Sequence, residues 1–323
     1  MVGAMAYANV GVSRLEAALA LFRDAMGLRL DASYEATRAL LDAWGVAGGT
    51  TARIAELSCK GYAVGRLRLV EYTPTPRTCV RLDHGAGAPD GPADVGPKAL
   101  DFYVRPPIAA TVERLARLGY AARSAPVYHR IGRTVSEEVV VSGPDGLPLL
   151  FMIGHVHAST SLRPGSPDGD YSEIPTVSVI AGDVARSRHF YRDLLGLTAV
   201  NDAETPDEYR DLVDDLTGVP HGTRVHFLNF ASAGEASGKV LVLHFFERTG
   251  RRLSGRMRPG HLGFSMLTHR TPDLDALAVR LRGAGYPPCQ PPVLVESGNG
   301  PVRLMRVAGP NEEMFEFVED SAP

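Results

Sequence analysis

Hydrophobic positions along this chain switch between two periods. Apolar residues alternate with polar or small ones in AYANVGV from Ala6, TARIAEL from Thr51 and GRLRLVEY from Gly65, and recur at three to four residues in LEAALALFRDAMG from Leu15. The first period predicts strands and the second a helix, so the opening segment reads as a βαβββ unit. ALDFYV, IAATVERLARLG, EEVVVSG and LPLLFMI form a second unit. IPTVSVIAG, VARSRHFYRDLLG, LTAV, RVHFLNF and KVLVLHFFE form a third, in which Asp183 is placed to cap the helix and Gly196 to end it. After RMRPG the pattern restarts with HLGFSML, DLDALAVRLRGAG, PPVLVE, VRLMRVAG and EMFEFVE. The whole chain is four such units.

The four units come as a tandem duplication. LFRDAMGL at 21–28 is answered by FYRDLLGL at 190–197, RLARLGY ending at Tyr120 by RLRGAGY ending at Tyr286, and GPDGLPLLFM from Gly143 by GPNEEMFEFV from Gly309. Segment 155–173, HVHASTSLRPGSPDGDYSE, lacks apolar periodicity and reads as an exposed linker. The expected domains are therefore 1–154 and 174–323. Each half is expected to close a cleft from its own two units, since an unpaired sheet edge needs a partner and the connection RTGRRLSGRMRPG is short. The inserts YEATRALLDAWGVAGG and AETPDEYRDLVDDLTGVPHG carry helical spacing and read as solvated helices or as lids over the clefts.

Composition narrows the function. A chain of 323 residues with a formal net charge of −3 and interspersed signs offers no basic face for nucleic acid, and it holds no apolar run long enough for a membrane-spanning helix. The start does not resemble a secretory signal, so the cytoplasm is expected. Cys59, Cys79 and Cys289 lack the spacing of a disulfide framework or a zinc knuckle. A small molecule is the expected partner, and homodimerisation stays open.

Paired βαβββ units with FYRDLLGL after a first strand, and a Gly-Pro turn before a last strand carrying Glu, resemble the vicinal oxygen chelate superfamily. That superfamily includes glyoxalase I, methylmalonyl-CoA epimerase, extradiol dioxygenases and the bleomycin and fosfomycin resistance proteins. The resemblance covers essentially the whole chain and implies an α+β fold of four βαβββ units, arranged as two domains whose curved mixed sheets each enclose a cleft. It also implies ligands on first and last strands of the units. Mapped here, these fall on Thr176, which cannot serve as the usual His, and on His244, His261 and Glu316. The two His and one carboxylate suit one divalent Fe, Mn, Co, Ni or Zn ion in the second half. Alternation puts His244 in a row with Val242 and Phe246, and Glu316 in a row with Met314 and Val318. The matching positions of the first half are Tyr7, Arg68, Ala99 and Leu150, a structural copy, or else an anion pocket built on Tyr7 and Arg68.

The resemblance leaves the reaction open. The leading expectation is a metal-dependent isomerase or epimerase acting next to a carbonyl through a chelated enediolate, with Glu316, a metal hydroxide or His226 as base. The alternatives are an Fe(II) extradiol-type dioxygenase and a non-catalytic binding or self-resistance protein.

Overall fold

The computed structural model describes residues 1–320 apart from 60–61, 86, 157–168, 249 and 299, so most of the expected linker lies outside the described residues. The four units are all present. The first holds strands β1 (Met5–Val12), β2 (Arg29–Glu35), β3 (Thr51–Ser58) and β4 (Arg66–Thr73), with helices α1 (Leu15–Leu19) and α2 (Arg38–Ala43). The second holds β5 (Gly96–Tyr103), α3 (Ile108–Arg117), β6 (Val127–Ile131), β7 (Thr134–Ser142) and β8 (Pro148–Val156). The third holds β9 (Thr176–Ile180), α4 (Val184–Arg188), β10 (Thr198–Glu204), α5 (Arg210–Thr217), β11 (Val225–Ala231) and β12 (Lys239–Phe245). The fourth holds β13 (Gly263–Thr271), α6 (Leu274–Gly283), β14 (Val293–Ser297), β15 (Gly300–Ala308) and β16 (Met314–Glu319).

The duplication extends to local geometry. Helix α1 widens into a π-helical turn over Ala20–Ala25, and α4 does the same over His189–Leu194. Both runs end at a glycine with φ of +79°, Gly27 and Gly196, a conformation that a side chain resists. Asp183 caps α4 as expected, its carboxylate accepting from the Arg186 amide at 2.9 Å.

Unit pairing differs from the expectation. The strand orders are β14-β15-β16-β13-β1-β4-β3-β2 and β10-β11-β12-β9-β5-β8-β7-β6, so the first unit joins the fourth and the second joins the third. Each eight-stranded sheet takes one unit from each half, and its centre is an antiparallel seam of two first strands, β1 with β13 or β5 with β9. Connection length could not decide this, because closure entropy grows only logarithmically and the connections between consecutive units are of comparable length. Specific contacts at the seam decide it. A Cβ on Gly11 would lie 1.9 Å from the carbonyl oxygen of His261, so only glycine lets β1 approach the start of β13. Nearby, Asn9 donates to the Met266 carbonyl at 3.1 Å and to Thr268 Oγ1 at 2.8 Å.

One large apolar core draws on both sheets and the helices behind them. Phe22, on the first unit's helical segment, meets Phe102 of the second sheet at 6.3 Å between ring centres, and Phe190 of the third unit meets Phe315 of the first sheet at 5.3 Å. The end of the expected linker joins this core, with Tyr171 packed edge-on against Phe151. The concave faces are thereby left for clefts. Helix α2 packs on β14 and β15, and α5 on β6 and β7, so each insert lies across the unit that pairs with its own.

Candidate functional site in the second sheet

The first sheet's cleft is filled by its own charges. Arg68 on β4 donates to Glu316 at 3.0 Å, to Glu56 at 3.1 Å and to the Asn9 side-chain oxygen at 3.1 Å. Glu316 also accepts from the Trp44 indole at 2.6 Å and from Thr268 at 2.6 Å, while Glu56 accepts from Tyr7 and Tyr34, both at 2.9 Å. The space left is about 50 Å³, room for little more than water. Tyr7 and Arg68 therefore do not form an anion pocket: two carboxylates already neutralise the guanidinium, and its plane lies over the Tyr7 ring at 4.3 Å.

The expected metal ligands are not brought together. Glu316 belongs to the first sheet and His244 to the second. His244 shares its face with Val240 and Val242, which pack beneath the helices, whereas Lys239, Leu241 and Leu243 line the cleft. The His244 ring donates instead from Nδ1 to the Ala181 carbonyl at 3.0 Å. His226 lies opposite His244 in the β11–β12 register, off the cleft, with Nε2 2.6 Å from Asp202. His261 precedes β13, its Nδ1 2.7 Å from the Arg256 carbonyl, and the β13 residue beside Glu316 is Thr268.

The donor sets do not fit the divalent ion that the resemblance implies. Beside Glu316 the arginine already supplies a positive charge at 3.0 Å, which would repel a dication. In the second sheet the first- and last-strand pairs that face the cleft are Asp101 beside Leu150, Tyr103 beside Met152, Ser178 beside Leu241 and Thr176 beside Lys239, a set with one carboxylate and no imidazole or thiol. Among the described residues no cluster of three or more His, Cys, Asp or Glu could hold a metal.

The second sheet instead encloses a cavity of about 420 Å³, within the usual range for small-molecule sites. Leu216 of α5 covers it by packing on Val127, Val140 and Leu150, and Val213 of the same helix packs with Ile131 and Leu243. That wall is apolar. Polar groups line the same cavity: Asp101 and Tyr103 from β5, His129 from β6, Glu138 from β7, Thr176 and Ser178 on β9, and Lys239 from β12. Strand alternation explains the gathering: Asp101 and Tyr103 flank the core residue Phe102 and point the opposite way.

Each polar group there is almost fully enclosed. Asp101, 2% exposed, accepts from Ser178 at 3.1 Å; burial first, then the Glu138 charge, push its pKa well above the ordinary carboxylate value. Both effects favour the acid form of its carboxyl. Glu138 accepts from Ser136 at 2.5 Å and lies 3.2 Å from His129 Nε2. Burial opposes a charged His129, but the Glu138 charge and hydrogen bond outweigh it and the pKa rises. His129 Nδ1 has no partner among the described residues. Lys239, 7% exposed, forms no side-chain hydrogen bond or ion pair among the described residues, and burial lowers its pKa against the opposing pull of Asp101 and Glu173. By contrast Lys98, which also lines the cavity, is tied to Asp83 at 2.5 Å and to the carbonyls of Pro92 and Thr217.

None of Asp101, His129, Glu138 or Lys239 was among the residues expected from sequence. The signal for Asp101 was nonetheless present, because KALDFYV sets a carboxylate in an apolar strand as MFEFVE does. For the others no local pattern separates a cavity residue from a surface one.

Residues 173–317 match the family model described as Glyoxalase/Bleomycin resistance protein/Dioxygenase superfamily. No curated protein matches the chain. Among solved structures, glyoxalase I from Zea mays is similar with a TM-score of 0.59 at 14% identity, over 98% of this chain and 92% of that one. A putative dioxygenase from Bacillus subtilis is similar with a TM-score of 0.60 at 14% identity, over 99% of this chain and 86% of that one. At that identity the likeness concerns the fold, four βαβββ units over the full length. Residues 173–317 thus carry the match to the glyoxalase/bleomycin resistance/dioxygenase superfamily, and the whole chain shares the four-unit fold of these two structures.

Proposed function

We propose that this protein is an isomerase or epimerase that moves a proton next to the carbonyl of a small, largely apolar molecule, using side chains of the second-sheet cavity. The observation that carries this reading is the enclosure, in one cavity with apolar walls, of the Asp101 carboxyl, the Glu138–His129 pair and the Lys239 amine, which has no side-chain partner among the described residues. Asp101, held as the acid, hydrogen-bonds the carbonyl oxygen. The positive charge of Lys239 favours the enolate oxygen that develops there, a role that metal ions fill in other enzymes. The Glu138–His129 pair takes the proton from carbon and returns it. Leu216, Val140 and Leu243 hold the rest of the substrate and keep water out.

The test is solvent exchange. Full-length protein is incubated in D2O with a panel of aryl and alkyl aldehydes, ketones and 2-oxo acids, and deuterium incorporation next to the carbonyl is followed by NMR. Incorporation is expected for some members and is expected to fall about 100-fold or more in Asp101→Asn, the scale of a lost general acid. Binding without exchange across the whole panel would replace this reading with a sequestering protein. That second reading is favoured by the apolar walls under α5, which suit retention of a hydrophobic compound.

A further inference from the structure

The chain contains only three lysines, Lys60, Lys98 and Lys239, among 34 Lys and Arg residues. Positive charge in this sequence is carried mostly by arginine. Two of the three lysines nevertheless line the cavity, and of these Lys98 is committed to Asp83 and two carbonyls. Lys239 has no such commitment. It opens β12 beside Thr176 of β9, is more than nine-tenths buried, and has no side-chain partner among the described residues. Arginine is permanently charged and not nucleophilic, so a buried lysine in an arginine-rich chain points to a need for the amine itself.

We infer that Lys239 is a nucleophile that forms an imine with a carbonyl ligand in the second-sheet cavity, with Asp101 as the proton donor. The neutral amine attacks the carbonyl carbon, and an amine proton passes to the oxygen to give a carbinolamine. The Asp101 carboxyl proton then goes to that hydroxyl, which leaves as water. What remains is an iminium on Lys239 and a carboxylate on Asp101. No oxidant or reductant is consumed.

The surroundings support each half of the step. Burial lowers the pKa of Lys239, enlarging its neutral fraction, while Asp101 stays protonated well above the ordinary carboxylate range. This inference rests on the proposed proton transfer in one respect, since an iminium would be the electron sink that acidifies the adjacent carbon–hydrogen bond. The ligand class is accordingly an unhindered aldehyde or ketone with an apolar tail for the wall that Leu216, Val140 and Leu150 form.

The experiment is reductive trapping. Full-length protein is mixed with phenylacetaldehyde and sodium borohydride, and the reduced adduct is located by intact mass and peptide mapping, with Lys239→Arg and Lys239→Met in parallel and thermal unfolding to confirm that both variants fold. A single adduct on Lys239, lost in both variants, is expected. Deuterium exchange of the same probe is also expected to be lost in Lys239→Arg, which keeps the charge and removes the nucleophile. An adduct confined to Lys98, Lys60 or the N-terminus would overturn the inference. Exchange that persists in Lys239→Arg without any Lys239 adduct would also overturn it, leaving the proton-transfer reading intact. An adduct on Lys239 with no exchange at all would support the imine and remove the isomerase reading.

Discussion

Arg68 and Glu316 lie 248 residues apart in the chain and 3.0 Å apart in the structure, and their pairing crosses the seam between the first and fourth units. The guanidinium stands beside a carboxylate that the family resemblance assigns to a metal. Its other contacts, Glu56 and Asn9, leave the cleft electrically closed. The first sheet is in this respect a structural module, and the proposed chemistry belongs to the second.

Removing one member of that pair strands a buried charge. Arg68→Met leaves Glu56 and Glu316 without their shared cation and is expected to destabilise the protein by about 3 to 5 kcal/mol, the range for breaking buried pairs. Urea unfolding measures it. Deuterium exchange by the folded fraction should stay near wild type, because the cavity lies on the other sheet; coupled loss of exchange in fully folded protein would contradict the division of labour.

Leu150 occupies the position equivalent to Glu316 in the repeat. It is half-buried and lines the cavity, with Val140 and Leu216 as neighbours. Leu150→Ala is therefore expected to cost well under the roughly 2 to 5 kcal/mol of a full core truncation. It should also shift ligand preference toward bulkier tails, read as relative affinity across a homologous series by calorimetry. A full core penalty with unchanged preference would place Leu150 back in the structural interior.

Glu316 and His244 show how far the sequence could be read. Alternation placed Glu316 on an inward row, and it is inward. The same alternation grouped His244 with Val242, again correctly, but periodicity cannot say which of two faces looks into the cleft. That row turned out to lie under the helices, so the assignment missed by one residue in register. His261 was placed by family position, and the strand beside Glu316 begins after it. The fold was legible because four units repeat one pattern of strands, caps and glycines. The unit pairing was not, because it depends on contacts such as Gly11 against His261 that join residues about 250 positions apart.

His129 gives the proposed chemistry a pH signature. Its pKa is raised by Glu138 against the opposing effect of burial, so the imidazole stays protonated to higher pH than a free histidine. His129→Gln should remove the corresponding limb from the pH profile of deuterium exchange while retaining a hydrogen bond toward Glu138. An unchanged profile would exclude His129 from the proton path.

The seam between the first and fourth units carries its own acid sensitivity. His269 on β13 is fully buried, its Nδ1 donates to the Gly3 carbonyl at 2.9 Å, and its Nε2 has no partner among the described residues. Burial lowers its pKa from 6.5 to about 4, against a small opposing effect of that hydrogen bond. Above pH 6.5 the ring is neutral in both folded and unfolded chains, and its contribution is fully present. Between 6.5 and about 4 only the unfolded chain takes up the proton, so stability falls as pH falls, by a total on the order of 3 kcal/mol. His269→Gln keeps a donor for Gly3 and removes the titration. Urea unfolding at steps from pH 7 to pH 4 should show this part of the acid loss in the wild type and not in the variant. Parallel curves for the two proteins would show that His269 is not the group responsible.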